Sequence, residues 1–232
     1  VTELGGQLRL AALCPAKQEF ASLIAYYAAA LAEVGVTICL NTAATADAIQ
    51  KAGFKQVIVA IGAEPAYPPI PGVHGANVIP AIETVAKEPE MSREVVVVGG
   101  GEIGVEMGLH LAKHGHEVKL LEMGPILSPE SVPVHFRSIF EKAFNNQPGF
   151  SYELNAKVTA ITENGVTYLD ADGAEHTIPA RSVVLAAGMK AKHAEAMSFM
   201  DGNVRTHVIG DCNQVGCVQT AMRAAYAVGN NI

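Results

Sequence analysis

Four residues of this chain have the types and spacing to hold a dinucleotide: Gly99, Gly101, Gly104 and Glu122. The three glycines form G-x-G-x-x-G directly after the apolar run Val95 to Val98. Gly99 permits a tight turn, Gly101 lets backbone approach a pyrophosphate, and Gly104 lets a helix pack close to the preceding strand. Unpaired amides from Gly100 through Glu102, Ile103 and Gly104, at the positive end of that helix, would hold the phosphates. Glu122 lies 18 residues past Gly104, where a carboxylate can accept from a ribose 2′-hydroxyl. A 2′-phosphate would be repelled there, and Met123, Gly124 and Pro125 supply no cation to hold one, so NADH is expected over NADPH.

The elements that must position these residues follow from periodicity. Four consecutive valines suit a strand buried on both faces. Ile103, Met107, His110, Leu111 and His114 recur at helical spacing, and nothing from Glu102 to His114 breaks a helix. Val118 to Leu121 is a second apolar run ending in Glu122. The expected unit is therefore strand, tight turn, helix and strand, and the fold class is α/β.

Half of the 232 residues are hydrophobic and 17% are charged, so a substantial core is available. The net charge of −7 and the lack of any Lys/Arg cluster argue against a nucleic-acid surface. No apolar run approaches a membrane span, and VTELGGQLRL is not a signal peptide. Cys14, Cys39, Cys212 and Cys217 are irregularly placed, which suggests a reducing, cytoplasmic setting with mostly buried thiols and no zinc or iron–sulfur spacing.

Along the chain, a helix is expected over Ala16 to Val34, ended by Gly35, then a strand over Val36 to Leu40. A short helix from Asp47 to Lys51, closed by Gly53, leads to the strand VIVAIG ending at Gly62. Residues 63–76 hold four prolines and two glycines and read as a crossover between domains, outside any sheet interior. A short helix is expected from Ile79 to Lys87 and another from Val132 to Asn146. Short strands at 152–154, 157–162, 165–169 and 175–178 follow, with hairpin turns at Asn164-Gly165 and Asp172-Gly173. VVLAAG then ends at Gly188, and a strand ending at Gly210-Asp211 precedes a helix from about Val218 to Asn230. Two similar closing strands are thus accompanied by a single glycine-rich turn.

With LGGQL near the start, GGGEIGVE in the middle and VIGDC near the end, the chain resembles the two-dinucleotide-binding-domain flavoproteins. Within them it is most similar to the C-terminal FAD/NAD(P)-binding region of old-yellow-enzyme-related reductases of the 2,4-dienoyl-CoA and 2-enoate reductase type. The resemblance implies a Rossmann-like NAD(P)H-binding domain, residues 73–190, inserted in an FAD-binding domain, residues 1–72 and 191–232, that lacks its first βαβ unit. It places Gly62, Gly210 and Asp211, and Gln219 and Thr220 at the start of the last helix, on the FAD side. There Asp211 would accept from a flavin ribityl hydroxyl. Gly5, Gly6 and Gln7 become a close-approach loop beside FAD, and Gly188 closes the NAD domain. The family's chemistry implies hydride passing from NADH to FAD, and electrons passing through an iron–sulfur cluster to FMN in an upstream barrel. Neither that barrel nor a cysteine run for a cluster is in this sequence, so the polypeptide resembles a fragment that should not reduce an enoate by itself. A non-catalytic ADP-binding module, as in trimethylamine dehydrogenase relatives, is the alternative.

Other residues admit two readings. Glu106 is either the glutamate that relatives place near nicotinamide or flavin, or a first-turn acid favoured by the helix dipole. Glu102 occupies a slot where relatives place an aromatic gate, and reads as a helix N-terminal acid. Cys212 and Cys217 have the spacing of a redox pair but not its position, and read as structural thiols. His110, His114 and His116 have the helical spacing of metal ligands, but no acidic or cysteine partner completes a site, and they read as ordinary surface or edge residues with no metal.

Overall fold

The computed structural model describes residues 1–14, 17–127, 141–142, 145–200 and 204–232. They form two compact units: Val1–Thr2 with Ile38–Ala66 and Met189–Ile232, and Glu3–Thr37 with Tyr67–Gly188.

The larger unit opens with α1 (Gln7–Ala11) and α2 (Glu19–Glu33). Gly35, at φ 73°, ends α2 in the left-handed conformation that a Cβ disfavours. The sequence grouped residues 3–37 with the FAD remnant; in the structure they cluster with 67–188. The physical link is Cys14, buried in the core beside Val105 and Leu111, together with an ion pair from Lys17 to Glu106.

No strand forms over 36–40. Val36, Ile38 and Leu40 stay exposed, because an apolar run becomes a strand only where a neighbouring strand and a covering layer exist. The helix expected near 47 is α3 (Ala46–Ala52), capped by the Thr45 hydroxyl and closed by Gly53 at φ 72°. β1 (Gln56–Val59) follows, then β2 (Ala63–Pro65). The proline-rich stretch thus contributes three residues to a sheet after all, at the edge of a two-stranded ribbon where proline is tolerated.

Returning to the larger unit, the stretch expected to be a helix from 79 begins instead as a strand, β3 (Val78–Pro80), and turns helical only at Ala81. Pro80 is extended at ψ 138° and cannot enter the helix. Next come β4 (Glu94–Val98), α4 (Glu102–Lys113) and β5 (Glu117–Leu121), with bounds close to those read from the valine run, the glycine turn and the helical spacing. The helix expected over 132–146 lies almost wholly outside the described residues. β6 (Phe150–Glu153), β7 (Lys157–Thr162), β8 (Gly165–Leu169), β9 (Glu175–Pro179) and β10 (Ser182–Leu185) complete this unit.

Its sheet is fully parallel in the order β3-β10-β4-β5-β6. β7, β8 and β9 form a separate antiparallel sheet joined by the two expected hairpins. The valine run explains the layering. Val95 and Val97 face a core built with Val105, Leu111 and Ala112 of α4. Val96 and Val98 face Val158, Val166 and Tyr168 of the antiparallel sheet. Alternate side chains leave opposite faces of a strand, so a strand between two covered faces must be apolar at every position.

The smaller unit ends with β11 (Met189–Ala191), antiparallel to β2, and β12 (Arg205–Val208), parallel to β1. Its core is small: Val59, Ala196 and Cys212, with Val57, Ile61, Phe199 and Val208 packed on them. The last helix, Val218–Gly229, buries no residue. Among the described residues, no helix is long and apolar enough to cross a membrane.

Candidate functional site

The turn between β4 and α4 gathers the glycines and the acid at the carboxyl ends of parallel strands, where open α/β sheets take their ligands. Gly99 has φ 105°, and a Cβ there would run into the Ala186 carbonyl. A Cβ at Gly104 would strike the Gly99 carbonyl, so helix and strand touch at this point. Gly101 differs from both. It is the N-cap of α4 at φ −65° and ψ 179°, no side chain caps it, and a Cβ there would meet nothing within 4 Å. The amino end of α4 therefore presents uncapped amides to open space. Glu102 begins the helix and Ile103 is 40% exposed beside it.

Glu122 reaches into this turn. Its Oε2 accepts from the Gly100 amide at 2.6 Å, and its Oε1 accepts from the Gly124 amide at 2.6 Å. The acid thus props the turn, a role that spacing alone did not suggest. Each carboxylate oxygen has a second lone pair, which leaves acceptor capacity for a ribose hydroxyl.

Glu106 sits one turn into α4, and its Oε2 accepts from the Lys17 ammonium at 2.7 Å, both side chains being partly buried. Lys17 was not singled out in the sequence, since an ion pair between residues 89 apart leaves no local signal. Gly5 and Gly6 have positive φ, and Gln7 begins α1 in the same unit. Gly188, at φ 89°, follows β10 across an open turn.

In the smaller unit, Gly62 and Gly210 have φ 77° and 66°. Gly62 accepts from the Lys192 amide through its carbonyl at 3.4 Å. Asp211 Oδ1 accepts from the Gly216 amide at 3.2 Å, which ties the loop ahead of the last helix. Gln219 lies in the first turn of that helix, but the Thr220 hydroxyl turns back to accept from the Cys217 amide at 3.0 Å and donate to its carbonyl. Its side chain is therefore committed to the cap.

The thiols divide. Cys14 and Cys212 are buried, whereas Cys39 and Cys217 are exposed, so the expectation of mostly buried cysteines holds for only half of them. Cys212 donates to the Ile209 and Val59 carbonyls at 3.1 and 3.4 Å, a packing role. Cys217 is the N-cap of the last helix, and hydrogen bonds from the Thr220 amide, then its side chain, hold the thiol below its ordinary range. At neutral pH, iodoacetamide should modify Cys217 several-fold faster than Cys39, which is also exposed, and leave Cys212 intact, as peptide mass mapping would read. Equal rates at Cys217 and Cys39 would contradict the assignment.

The histidines also require a correction. Glu88, distant in sequence, joins them: its Oε2 lies 2.7 Å from His110 Nε2 and its Oε1 lies 2.6 Å from His114 Nδ1. Burial pushes the Glu88 carboxyl up, but hydrogen bonds and charge from His110 and His114 outweigh it and hold the group below its usual value.

Comparison with known proteins gives the family of this fold. The pyridine nucleotide-disulphide oxidoreductase family matches residues 30–230. The chain belongs to this family. It is 34% identical to a bilirubin reductase of Mediterraneibacter gnavus over 236 residues, covering 99% of this chain and 35% of that protein. An NADH oxidase of Thermoanaerobacter brockii is 30% identical, with 97% of this chain and 35% of that protein covered. The solved structure of 2-naphthoyl-CoA reductase in complex with 2-naphthoyl-CoA superposes with a TM-score of 0.89 at 28% identity, over 99% of this chain and 35% of that one. The chain therefore spans about a third of the length of the relatives it matches. Membership makes it an oxidoreductase domain and implies a pyridine nucleotide and FAD. The uncapped end of α4, the open space at Gly101 and the anchored Glu122 fit the nucleotide.

Proposed function

We propose that this chain is the NADH-accepting domain of a larger flavin-dependent reductase of the enoate or dienoyl-CoA reductase kind. In this reading residues 73–190 hold NADH, and the smaller unit carries the FAD side. An FMN barrel with an iron–sulfur cluster, elsewhere in the parent protein, is the partner that receives the electrons. The cofactors supply the hydride and electron transfer, and the protein supplies binding and orientation. What supports the reading most is the amino end of α4: free amides, open space at Gly101, and a carboxylate fixed beside them by Gly100 and Gly124.

Each residue has a role that follows from its surroundings. The α4 amides and dipole would neutralise the pyrophosphate. Glu122 would accept from the adenosine ribose and repel a 2′-phosphate. Glu106, fixed by Lys17, presents a placed polar pair one turn further along the same helix, where we assign it to the nicotinamide end of the site. Gly62, Gly210, Asp211 and the amides near Gln219 belong to the flavin side. The exposed apolar side chains of the smaller unit, Phe54 and Tyr226 among them, support a parent protein that covers them.

A second reading has one observation in its favour. Glu122 and Gly101 would contact only the ADP half of the dinucleotide, so they would serve a structural ADP site equally well. Calorimetric titration of the folded protein with NADH, NADPH and ADP separates the two. Tighter binding of NADH than of both others is the expected result. Equal affinity for ADP and NADH would establish the module without hydride transfer, and no binding by a folded sample would overturn both.

A further inference from the structure

At the opposite end of α4 from the glycine turn, about 14 Å along the helix axis, four side chains converge that the nucleotide site does not use. His110 and His114 are one turn apart and share a face of the helix. Their rings meet edge to face with centroids 4.2 Å apart. Glu88 lies between them, 2.7 Å from His110 Nε2 and 2.6 Å from His114 Nδ1. His116, from the turn after the helix, brings its Nε2 to 3.9 Å from Glu88 Oε1. The donor atoms of Glu88, His110 and His114 all lie within 4.8 Å of one another.

His116 brings a third imidazole beside Glu88. Its Nδ1 lies 2.8 Å from the Ser92 carbonyl. A carbonyl can only accept, so Nδ1 carries the proton, and in the neutral ring Nε2 is a bare lone pair. That lone pair faces a carboxylate oxygen from a side chain only 14% exposed. A cation bound between the two would satisfy both, as a proton on Nε2 also would. A backbone carbonyl holding the far nitrogen of an imidazole is also the arrangement that orients a metal-bound histidine.

We propose that Glu88, His110, His114 and His116 form a binding site for a divalent transition metal ion of the zinc type. Three imidazoles and one carboxylate make a complete tetrahedral set for zinc, with the borderline ligands that cobalt and nickel also accept. Ligand atoms bonded at about 2.0–2.1 Å to one tetrahedral ion lie about 3.3 Å from each other. Glu88 Oε2 is 2.7 Å from His110, and Oε1 is 2.6 Å from His114 and 3.9 Å from His116. The donors of Glu88, His110 and His114 already lie within 4.8 Å of one another; the two short contacts must open, and His116 must swing in from outside that trio to complete the set. Binding requires His110 and His114 to turn their lone pairs inward; the His114 side chain is 45% exposed. The site also lies at the carboxyl end of α4, where the helix dipole favours a cation. The ion would clamp α4 to the turn that holds Glu88.

The test uses the whole chain, dialysed against a chelator and then titrated with cobalt chloride and zinc chloride. Cobalt should bind at one ion per chain and develop the intense visible absorption of a tetrahedral centre, and zinc should displace it. His114→Gln, at a partly exposed position that should not disturb folding, should weaken binding at least about tenfold. His116→Gln should do the same, while His176→Gln, in a separate pair with Asp170, should change nothing. An absence of saturable binding, or affinity unchanged in both His114→Gln and His116→Gln, would overturn the site. Because the readout is the metal itself, this result does not depend on whether the chain binds NADH.

Discussion

Replacing Glu122 by alanine should weaken NADH binding about 10–100-fold while moving NADPH far less, so that the preference between the two coenzymes largely disappears. The magnitude follows from the bonds lost. A hydrogen bond to a charged group contributes about 1.5–3 kcal/mol, and each 1.4 kcal/mol is about tenfold in affinity. In the wild-type chain the carboxylate accepts from Gly100 and Gly124 and has acceptor capacity left for the ribose. Alanine removes the ribose contact and frees the glycine turn that must present amides to the pyrophosphate. For NADPH the same substitution takes away a repulsive charge, which offsets part of the loss. Glutamine should fall between, since its amide can accept from one glycine N–H but turns a donor toward the other. Parallel calorimetric titrations of wild type, Glu122→Gln and Glu122→Ala measure this directly. A ratio of NADH to NADPH affinity that does not change in Glu122→Ala would remove Glu122 from the site.

The double role of Glu122 marks where sequence reasoning works and where it stops. The central unit was legible because its signals are local and concordant. Val95 to Val98 must be apolar on both faces, Gly99 and Gly104 sit where a Cβ would strike backbone, and α4 has an uninterrupted helical run. The two hairpins were legible for the same reason, as Asn164-Gly165 and Asp172-Gly173 specify turns by themselves. What failed depended on partners elsewhere. Val36 to Leu40 has the composition of a strand, but among the described residues no strand pairs with it, and Val36, Ile38 and Leu40 stay exposed. The stretch after Asn77 became a strand because Val183 and Val184 of β10 offered it an edge. Within the candidate site, the glycines and the acid could be read from spacing, whereas the Lys17–Glu106 pair spans 89 residues. Glu88 likewise reaches His110 across 22 positions, a contact that no local pattern carries.

Gly101 and Gly104 should separate binding from folding. At Gly101 the backbone is in a region open to any residue, and a Cβ would point into empty space. Gly101→Ala should therefore fold normally, with a cost of about 1 kcal/mol or less from placing alanine at an N-cap. Yet that empty space is where a pyrophosphate must approach the amides, and a methyl group there holds it off. A loss of about 100-fold in NADH affinity is expected, consistent with forfeiting one or two charge-assisted hydrogen bonds. At Gly104 the geometry is reversed. The Cβ would collide with the Gly99 carbonyl and press on Ala186 at 3.0 Å, and the obstructing atoms are backbone, which cannot rotate away. Gly104→Ala should lower stability by about 3 kcal/mol as an overpacked contact, and it should lose NADH because α4 is pushed off its strand. Thermal melts read beside calorimetry distinguish the two. A Gly101→Ala protein that melts like wild type and binds NADH as tightly would show that the open space at the amino end of α4 is not where the dinucleotide lies. The same melt with binding lost would place the phosphates at that helix end, with glycine required at position 101 for the ligand and at position 104 for the fold.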